Sequence, residues 1–130
     1  MLSIIIPVFN EANTLEKIID KIHKVNIHNK EIILIDDGST DNTKEIIKKK
    51  IAQKVNKVIT HKKNLGKGAA IRSAKEFIKG NYVIIQDADL EYDPNDYLKL
   101  LEPLQQKLTN VVYGSRVLGK KRYYNNNFSS

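Results

Sequence analysis

The chain has 130 residues, of which 41% are hydrophobic, with a formal net charge of +7 and no cysteine. This length suits one domain with a single core, and the lack of cysteine excludes disulfides and thiolate zinc sites and fits a reducing cytoplasm. No apolar run approaches the roughly 18 residues of a membrane span, and the opening "MLSIIIPVFNE" lacks the features of a signal peptide. We therefore predict a cytoplasmic protein whose first residues form a strand.

Strand and helix patterns alternate along the chain. Continuous apolar runs predict strands that are buried on both faces, whereas apolar residues spaced by three and four predict helices packed on one side. Asn13 is the predicted cap of the first helix. The predicted strands are residues 2–9, 31–36, 57–60, 82–86 and 110–114, and the helices are predicted after Asn13, Asp41, Gly68 and Asp93.

Much of the positive charge lies in the segment "KEIIKKKIAQKVNK", residues 44–57. Its lysines fall between Ile46, Ile47 and Ile51, a pattern typical of the solvated face of an amphipathic helix. Contact with a membrane surface is the alternative role, so peripheral membrane association stays open. No pattern of aromatic and basic residues indicates a nucleic-acid surface, and we expect no nucleic-acid partner.

Alternating strands and helices predict an α/β fold with a mainly parallel sheet and helices on both faces. Ligands of such sheets bind beyond the carboxyl ends of the strands. The polar clusters "NEAN", "DDGSTD", "DAD" and "GSR" follow the first, second, fourth and fifth predicted strands. We expect them to meet at one cleft.

The acidic segment after the fourth strand has two interpretations. Asp87 and Asp89 point to the same side if strand geometry continues, and Glu91 extends that side. Such a set of carboxylates repels itself without a cation, and Mg²⁺ or Mn²⁺ prefers oxygen ligands. The alternative is that the acids only end a strand and cap a helix, the role we assign to Asp93 before Pro94.

Asp36 and Asp37 end the second strand, where dinucleotide folds place their ribose-binding acid. That fold also requires G-x-G-x-x-G after the first strand, and this chain has "PVFNEAN" there. The segment "NLGKGAA" lacks two elements of a P-loop, and response-regulator domains place their paired acids after the first strand. What remains is a carboxylate that accepts the imide N–H of a base, or a turn that merely caps a helix.

Five segments together resemble family 2 glycosyltransferases of the GT-A fold. These are "SIIIPVFNEANTL", "EIILIDDGSTDNT", "NLGKGAAIRSA", "QDADLEYDP" and "YGSR", in family order and spacing from Leu2 to about Arg122. They look most like the branch that makes dolichyl- or polyprenyl-phosphate sugars. The resemblance implies metal-assisted, inverting transfer of a sugar from a UDP- or GDP-sugar, with Mg²⁺ or Mn²⁺ as cofactor and a lipid phosphate as the expected acceptor.

The resemblance also assigns roles to individual residues. It implies catalytic roles for Asp89, the principal metal ligand, and for Arg116, which meets the diphosphate. Glu91 is a further metal ligand, at a position where the branch often has glutamine. The implied nucleotide and sugar contacts are Pro7, Phe9 and Glu11 in the nucleoside pocket, Ile35 and Asp37 at the base, Asp87 and Ala88 near the ribose and sugar, and Lys67 and Arg72 at the phosphates or acceptor.

The predicted organisation is a nucleotide-sugar-binding domain at residues 1–119, followed by a basic and polar tail at residues 120–130. We expect the acceptor region beyond Ser130, so this chain by itself is predicted to be slow or inactive in transfer. No residue is identified as a general base, which a lipid phosphate acceptor does not need. His23, His28 and His61 are predicted to be surface residues, and the enzyme is expected in the cytoplasm or at the cytoplasmic face of a membrane.

Overall fold

A computed structural model of the chain describes residues 1–88, Pro94 and the backbone of residues 111–114. Five strands form one sheet with the spatial order β3-β2-β1-β4-β5, and every neighbouring pair is parallel. The strands are β1 (Leu2–Val8), β2 (Lys30–Asp36), β3 (Lys57–Thr60), β4 (Tyr82–Gln86) and β5 (Val111–Gly114). The predicted parallel sheet is confirmed. The helix predicted after Asp93 lies outside the described residues.

Three helical segments connect the first four strands. They are α1 (Leu15–Lys24), α2 (Thr43–Ile46) with a π-helical turn (Ile47–Ile51) and a 3₁₀ turn (Ala52–Lys54), and α3 (Lys67–Ala74) with a 3₁₀ turn (Lys75–Phe77). Within the part of the chain that is described, no helix combines the length and apolar character needed to cross a membrane.

The start of α1 differs from the prediction. Thr14, rather than Asn13, precedes the first helical residue, and no side chain there bonds to the helix amides. The Thr14 hydroxyl instead lies 3.1 Å from Glu11 Oε2 and donates to the Ala88 carbonyl. The predicted cap is therefore wrong, and the Thr14 hydroxyl joins the start of α1 to the segment that follows β4.

Helices cover both faces of the sheet, as predicted. Alternate residues of β1 point to opposite sides: Ile4 and Ile6 pack with α1 and with Ile47 and Ile51 of the π turn. Ile5 lies on the other face, in a second cluster formed with α3. All three β1 isoleucines are fully buried, so the sheet is held as the middle of three layers.

The lysine-rich segment keeps the predicted faces but not a single helical geometry. Ile47 and Ile51 are buried, whereas Lys48, Lys49 and Lys50 are exposed. Lys50 lies 3.9 Å from Glu16 on α1, an exposed ion pair that contributes little stability. The solvated lysine face is confirmed, and the helix reaches β3 through a wider π turn and a tighter 3₁₀ turn.

Candidate nucleotide site

An open pocket of about 470 Å³ lies at the carboxyl ends of β1, β2 and β4. The loop between β3 and α3 forms a further part of its wall. The lining residues are Pro7, Val8, Phe9, Glu11, Asp37, Asn64, Gly66, Lys67, Asp87 and Ala88. The predicted meeting of the polar clusters after the first, second and fourth strands is confirmed. The cluster after the fifth strand lies outside the described residues.

Most of the nucleotide- and sugar-binding residues implied by the resemblance line this pocket. Ile35 does not, because its side chain is fully buried in the core beneath α3. Arg72 is exposed on α3 and is not among the lining residues. The implied metal and diphosphate residues Asp89, Glu91 and Arg116 lie outside the described residues.

Asn10 joins the loops that follow β1 and β2. It has a φ of 53°, in the left-handed region that asparagine tolerates better than most residues. Its Oδ1 accepts hydrogen bonds from the backbone amides of Thr40 and Asp41, at 2.8 and 3.2 Å, and its own amide donates to Ser39 Oγ at 3.0 Å. Asn10 therefore fixes the turn after β2 to the loop after β1, a role the sequence interpretation missed.

Asp37 holds the wall loop through its carboxylate, which is nearly completely buried. Oδ1 accepts from His61 Nδ1 at 2.8 Å and from the Leu65 amide at 2.9 Å. Oδ2 accepts from the Gly66 amide at 2.9 Å and from Asn64 Nδ2 at 3.1 Å. Burial raises the pKa of Asp37, but these hydrogen bonds and the nearby His61 outweigh burial and leave the pKa below its ordinary value.

His61 is not the surface residue that was predicted. Its side chain is only 10% exposed, and both ring nitrogens have partners: Nδ1 faces Asp37, and Nε2 lies 2.8 Å from Ser73 Oγ on α3. His23 and His28 are exposed, as predicted. The difference arises because His61 follows β3 directly and points between the sheet and α3, whereas the other two lie at or beyond the end of α1.

Gly38 lies where two loops meet. It has a φ of +74°, and a β-carbon built there would lie 2.3 Å from the Lys63 carbonyl carbon and 2.4 Å from the Asn64 nitrogen. Only a residue without a side chain allows this backbone approach. The turn after β2 and the loop after β3 therefore pack directly on one another behind the pocket wall.

Charged side chains on opposite walls of the pocket are paired. Lys67, the first residue of α3, forms an ion pair with Asp87 at the end of β4. The other lining carboxylates belong to Glu11, beside Thr14, and to Asp37. Within the described residues, no group of three or more acidic or histidine side chains is arranged to hold a metal ion.

The sequence model of the family Glycosyl transferase family 2 matches residues 3–130 of this chain. The match includes all of the residues that line the pocket. The chain belongs to glycosyl transferase family 2. It is an α/β protein whose solved structural neighbours are glycosyltransferases, which confirms the family and GT-A fold that the sequence motifs implied.

Curated relatives in this glycosyltransferase family are longer than the chain. An undecaprenyl-phosphate 4-deoxy-4-formamido-L-arabinose transferase of Aeromonas hydrophila is 35% identical, over 82% of this chain and 34% of its own length. A UDP-N-acetylglucosamine–dolichyl-phosphate N-acetylglucosaminyltransferase of Methanococcus voltae is 30% identical, over 96% of this chain and 55% of its own length. The chain thus spans about a third to a half of the relatives it matches.

A solved glycosyltransferase structure matches the fold. A mannosyltransferase from Pyrobaculum calidifontis, determined in complex with GDP-Man and Mn²⁺, superposes with a TM-score of 0.66 and 26% identity. The match covers 75% of this chain and 30% of that protein. The two proteins therefore share a fold over three quarters of this chain.

Some pocket residues of this family 2 chain were missed by sequence interpretation. Asn64 and Gly66 line the pocket, yet neither was given a role, although their segment "NLG" was compared with a P-loop and lies in the family motif "NLGKGAAIRSA". Asparagine and glycine before a helix are a signal for a tight, specified turn, and that signal could have identified the loop as a wall. His61 gave no such signal, because its partners lie 12 and 24 positions away in the sequence.

Proposed function

We propose that this chain forms the donor-binding part of an inverting glycosyltransferase. The donor is a UDP- or GDP-sugar, and the acceptor is a polyprenyl or dolichyl phosphate. The observation that carries the proposal is the pocket at the carboxyl edge of the sheet, where Pro7, Phe9, Glu11 and Asp87 come together as the family resemblance requires.

The shape and lining of the pocket suit a nucleotide. Its volume of about 470 Å³ falls within the range of small-molecule sites, roughly 300–1,000 Å³. Phe9 is 42% exposed although it is a large apolar residue, which leaves an aromatic surface available to a planar base. Lys67 supplies an ammonium group beside the pocket for phosphate oxygens, opposite Asp87.

A divalent cation would offset the negative charge of this pocket. The carboxylates of Glu11, Asp37 and Asp87 outnumber the Lys67 ammonium in the lining, so a diphosphate without a cation would meet net negative charge. Asp89 and Glu91 follow Asp87 in the sequence and would hold Mg²⁺ or Mn²⁺ through oxygen ligands. When bound, such an ion would act as a Lewis acid on the nucleoside diphosphate leaving group.

The remaining groups suit phosphate chemistry. Arg116 would provide a guanidinium that stays charged at neutral pH and can bind diphosphate oxygens in a bidentate manner. Arg72, exposed on α3, stays a predicted contact of the phosphates or the acceptor. A lipid phosphate is already anionic and attacks the anomeric carbon without a general base. Such an acceptor would also place the reaction at a membrane surface.

We expect UDP or GDP, together with Mn²⁺, to raise the melting temperature of the chain. Ligand at about 100 times its dissociation constant adds roughly 2.7 kcal/mol to the free energy of unfolding, which is on the order of several degrees for a domain of this size. The measurement is a thermal shift series with each nucleotide, with Mn²⁺ and with both. No shift from either nucleotide–metal pair would contradict the proposed site.

The matched variants for this experiment are Asp89→Asn and Asp93→Asn. The first removes a charged ligand and is expected to abolish the part of the shift that depends on Mn²⁺. The second leaves a side chain that caps a helix as well as aspartate does, so the shift should persist. Equal loss in both variants would show that the acidic segment is not divided into ligand and cap.

Nucleotide binding without sugar transfer is the second candidate function. It is favoured by one observation, which is that the chain spans 34% and 55% of two curated relatives. Holding both reactants in position can lower a barrier by about 7–11 kcal/mol, and relatives have additional chain that could position the acceptor. We expect very slow transfer, or hydrolysis to free sugar, by these 130 residues.

The assay that separates the two functions uses radiolabelled UDP-glucose or GDP-mannose, Mn²⁺ and polyprenyl phosphate. Label is counted in the lipid phase and as free sugar. Rapid accumulation in the lipid phase would show that the acceptor site lies within these 130 residues. Nucleotide binding with label found only as donor or free sugar would support the second function.

A further inference from the structure

Three side chains form a continuous hydrogen-bonded line that leads away from the pocket lining. Asp37 follows β2, His61 follows β3, and Ser73 lies in the last turn of α3. His61 Nδ1 is 2.8 Å from Asp37 Oδ1, and His61 Nε2 is 2.8 Å from Ser73 Oγ. The line therefore joins two strand ends to the helix whose first residue, Lys67, enters the pocket.

The hydrogen positions in this line follow from the chemistry of its ends. An ionised carboxylate only accepts hydrogen bonds, so His61 Nδ1 must carry a hydrogen and donate it to Asp37. Ser73 Oγ also lies 3.0 Å from the Ala69 carbonyl, so its hydroxyl can donate there and accept from Nε2, or donate to Nε2. In either arrangement both ring nitrogens are held, and the imidazole cannot turn without breaking a contact.

The Asp37 carboxylate passes this constraint to the pocket wall. Its two oxygens also accept from the Leu65 and Gly66 amides and from Asn64 Nδ2. Asn64, Gly66 and Lys67 line the pocket, whereas His61 and Ser73 do not. Aspartate, histidine and serine form the triads of hydrolases, but here the histidine and serine lie away from the lining, so they act through Asp37 and the wall rather than on a ligand.

We propose that His61 is a positioning residue of the donor site. Its imidazole, fixed by Ser73, orients the Asp37 carboxylate so that the loop of residues 62–66 forms the wall that a nucleoside diphosphate would contact. The role rests on the proposed function of the pocket. It predicts that the bond from Nδ1 to Asp37 matters most, because that bond sets the direction of the oxygens that hold the loop.

The variants that test this role separate the two ring nitrogens. His61→Ala removes both contacts, whereas the side-chain amide of His61→Asn places a donor near the position of Nδ1. Phe77→Leu is the control for general destabilisation, since Phe77 packs partly buried on the same face of the sheet but is not part of the wall. All variants are made in the full 130-residue chain.

Two readouts are needed. The first is hydrogen exchange of the Leu65 and Gly66 amides without nucleotide, and the second is calorimetric titration with UDP and with GDP, each with Mn²⁺. We expect His61→Ala to speed exchange at both amides and weaken nucleotide binding, each by roughly tenfold. His61→Asn should recover most of both. Phe77→Leu should lower the melting temperature and leave both readouts near their original values.

The outcomes separate this inference from the proposed function. The positioning role would be overturned if His61→Ala left the amide exchange rates and the nucleotide affinity unchanged. It would also be overturned if His61→Asn behaved like the alanine variant. If His61→Ala does not fold, the comparison of His61→Asn with Phe77→Leu decides in the same way. If the unsubstituted chain binds neither nucleotide, the proposed function fails, while the exchange rates still decide whether His61 holds the loop.

Discussion

Gly38→Ala is expected to lower the free energy of unfolding by about 4 kcal/mol. A left-handed conformation at a non-glycine residue costs roughly 1–3 kcal/mol, and forcing extra atoms into a packed region costs roughly 1–3 kcal/mol more. The added carbon would lie 2.3 Å from the backbone of Lys63. That backbone has little freedom to retreat, because Asp37 binds the amides of Leu65 and Gly66 just beyond it.

Gly66→Ala is the matched control for Gly38→Ala. Gly66 also has a positive φ, of +100°, but nothing lies within 4 Å of a β-carbon built on it. Its substitution therefore adds backbone strain without a clash, and we expect a loss of about 2 kcal/mol. Urea unfolding of both variants gives the two values. Equal losses would show that the contact between the loops at Gly38 contributes little.

Asp37→Asn is expected to lower the free energy of unfolding by about 3 kcal/mol at pH 7. The asparagine amide would direct N–H groups at donors from the wall loop or from His61, and a buried donor without an acceptor costs roughly 1–3 kcal/mol. Loss of the charge at a nearly buried site adds to this cost. Because the wall loop depends on the same carboxylate, affinity for nucleotide with Mn²⁺ should fall by on the order of tenfold or more.

The same variant has a predicted pH dependence. The pKa of Asp37 in the folded state lies below its ordinary value of 3.8. Burial raises this pKa, but the hydrogen bonds to the carboxylate lower it by more. The unfolded state then binds the proton more readily, so the stabilisation is present above pH 3.8 and is lost as pH falls through the lower folded value. The difference in stability between the unsubstituted chain and Asp37→Asn should shrink over that acidic range.

Asp41→Asn is the control for this pH series. The pKa of Asp41 is also lowered, because hydrogen bonds from the Thr43 hydroxyl and amide outweigh the raising effect of burial. Its Oδ1 accepts both of these bonds, at the start of α2, and an asparagine oxygen can accept them too. We expect a loss well below 1 kcal/mol. The measurement is the urea midpoint of each variant from pH 3 to 7. If Asp41→Asn lost as much stability as Asp37→Asn, the special role given to the Asp37 carboxylate would be wrong.

The parts of the fold set by local pattern were predictable from the sequence. The predicted limits of β3 (Lys57–Thr60) and β4 (Tyr82–Gln86) match the structure, because apolar and β-branched runs end sharply at polar turns. Parallel connections then require the strand ends to share one edge. For this reason the pocket could be located from the sequence before any side chain was placed.

Features set by tertiary contact were not predictable in the same way. The helix cap assigned to Asn13 was wrong because the Thr14 hydroxyl binds Ala88, which is 74 positions away. His61 lies in a polar stretch of sequence that is typical of the protein surface. It is enclosed because α3 packs beside the end of β3. The sequence left two roles open for Asp37, which were to bind a nucleotide base or to form a turn that caps a helix. Its hydrogen bonds to the wall loop and to His61 could not be foreseen, because these partners lie 24 to 29 positions later in the sequence.

The hydrogen bonds from Asp37 to the loop of residues 62–66 have a consequence for the rate and the entropy of ligand binding. Fixing one residue of a flexible backbone costs roughly 1–2 kcal/mol in conformational entropy at 25 °C. In this protein the carboxylate of Asp37 holds the loop through hydrogen bonds that the chain itself supplies. A ligand that enters therefore meets a preorganised wall, and its association need not wait for this side of the pocket to close.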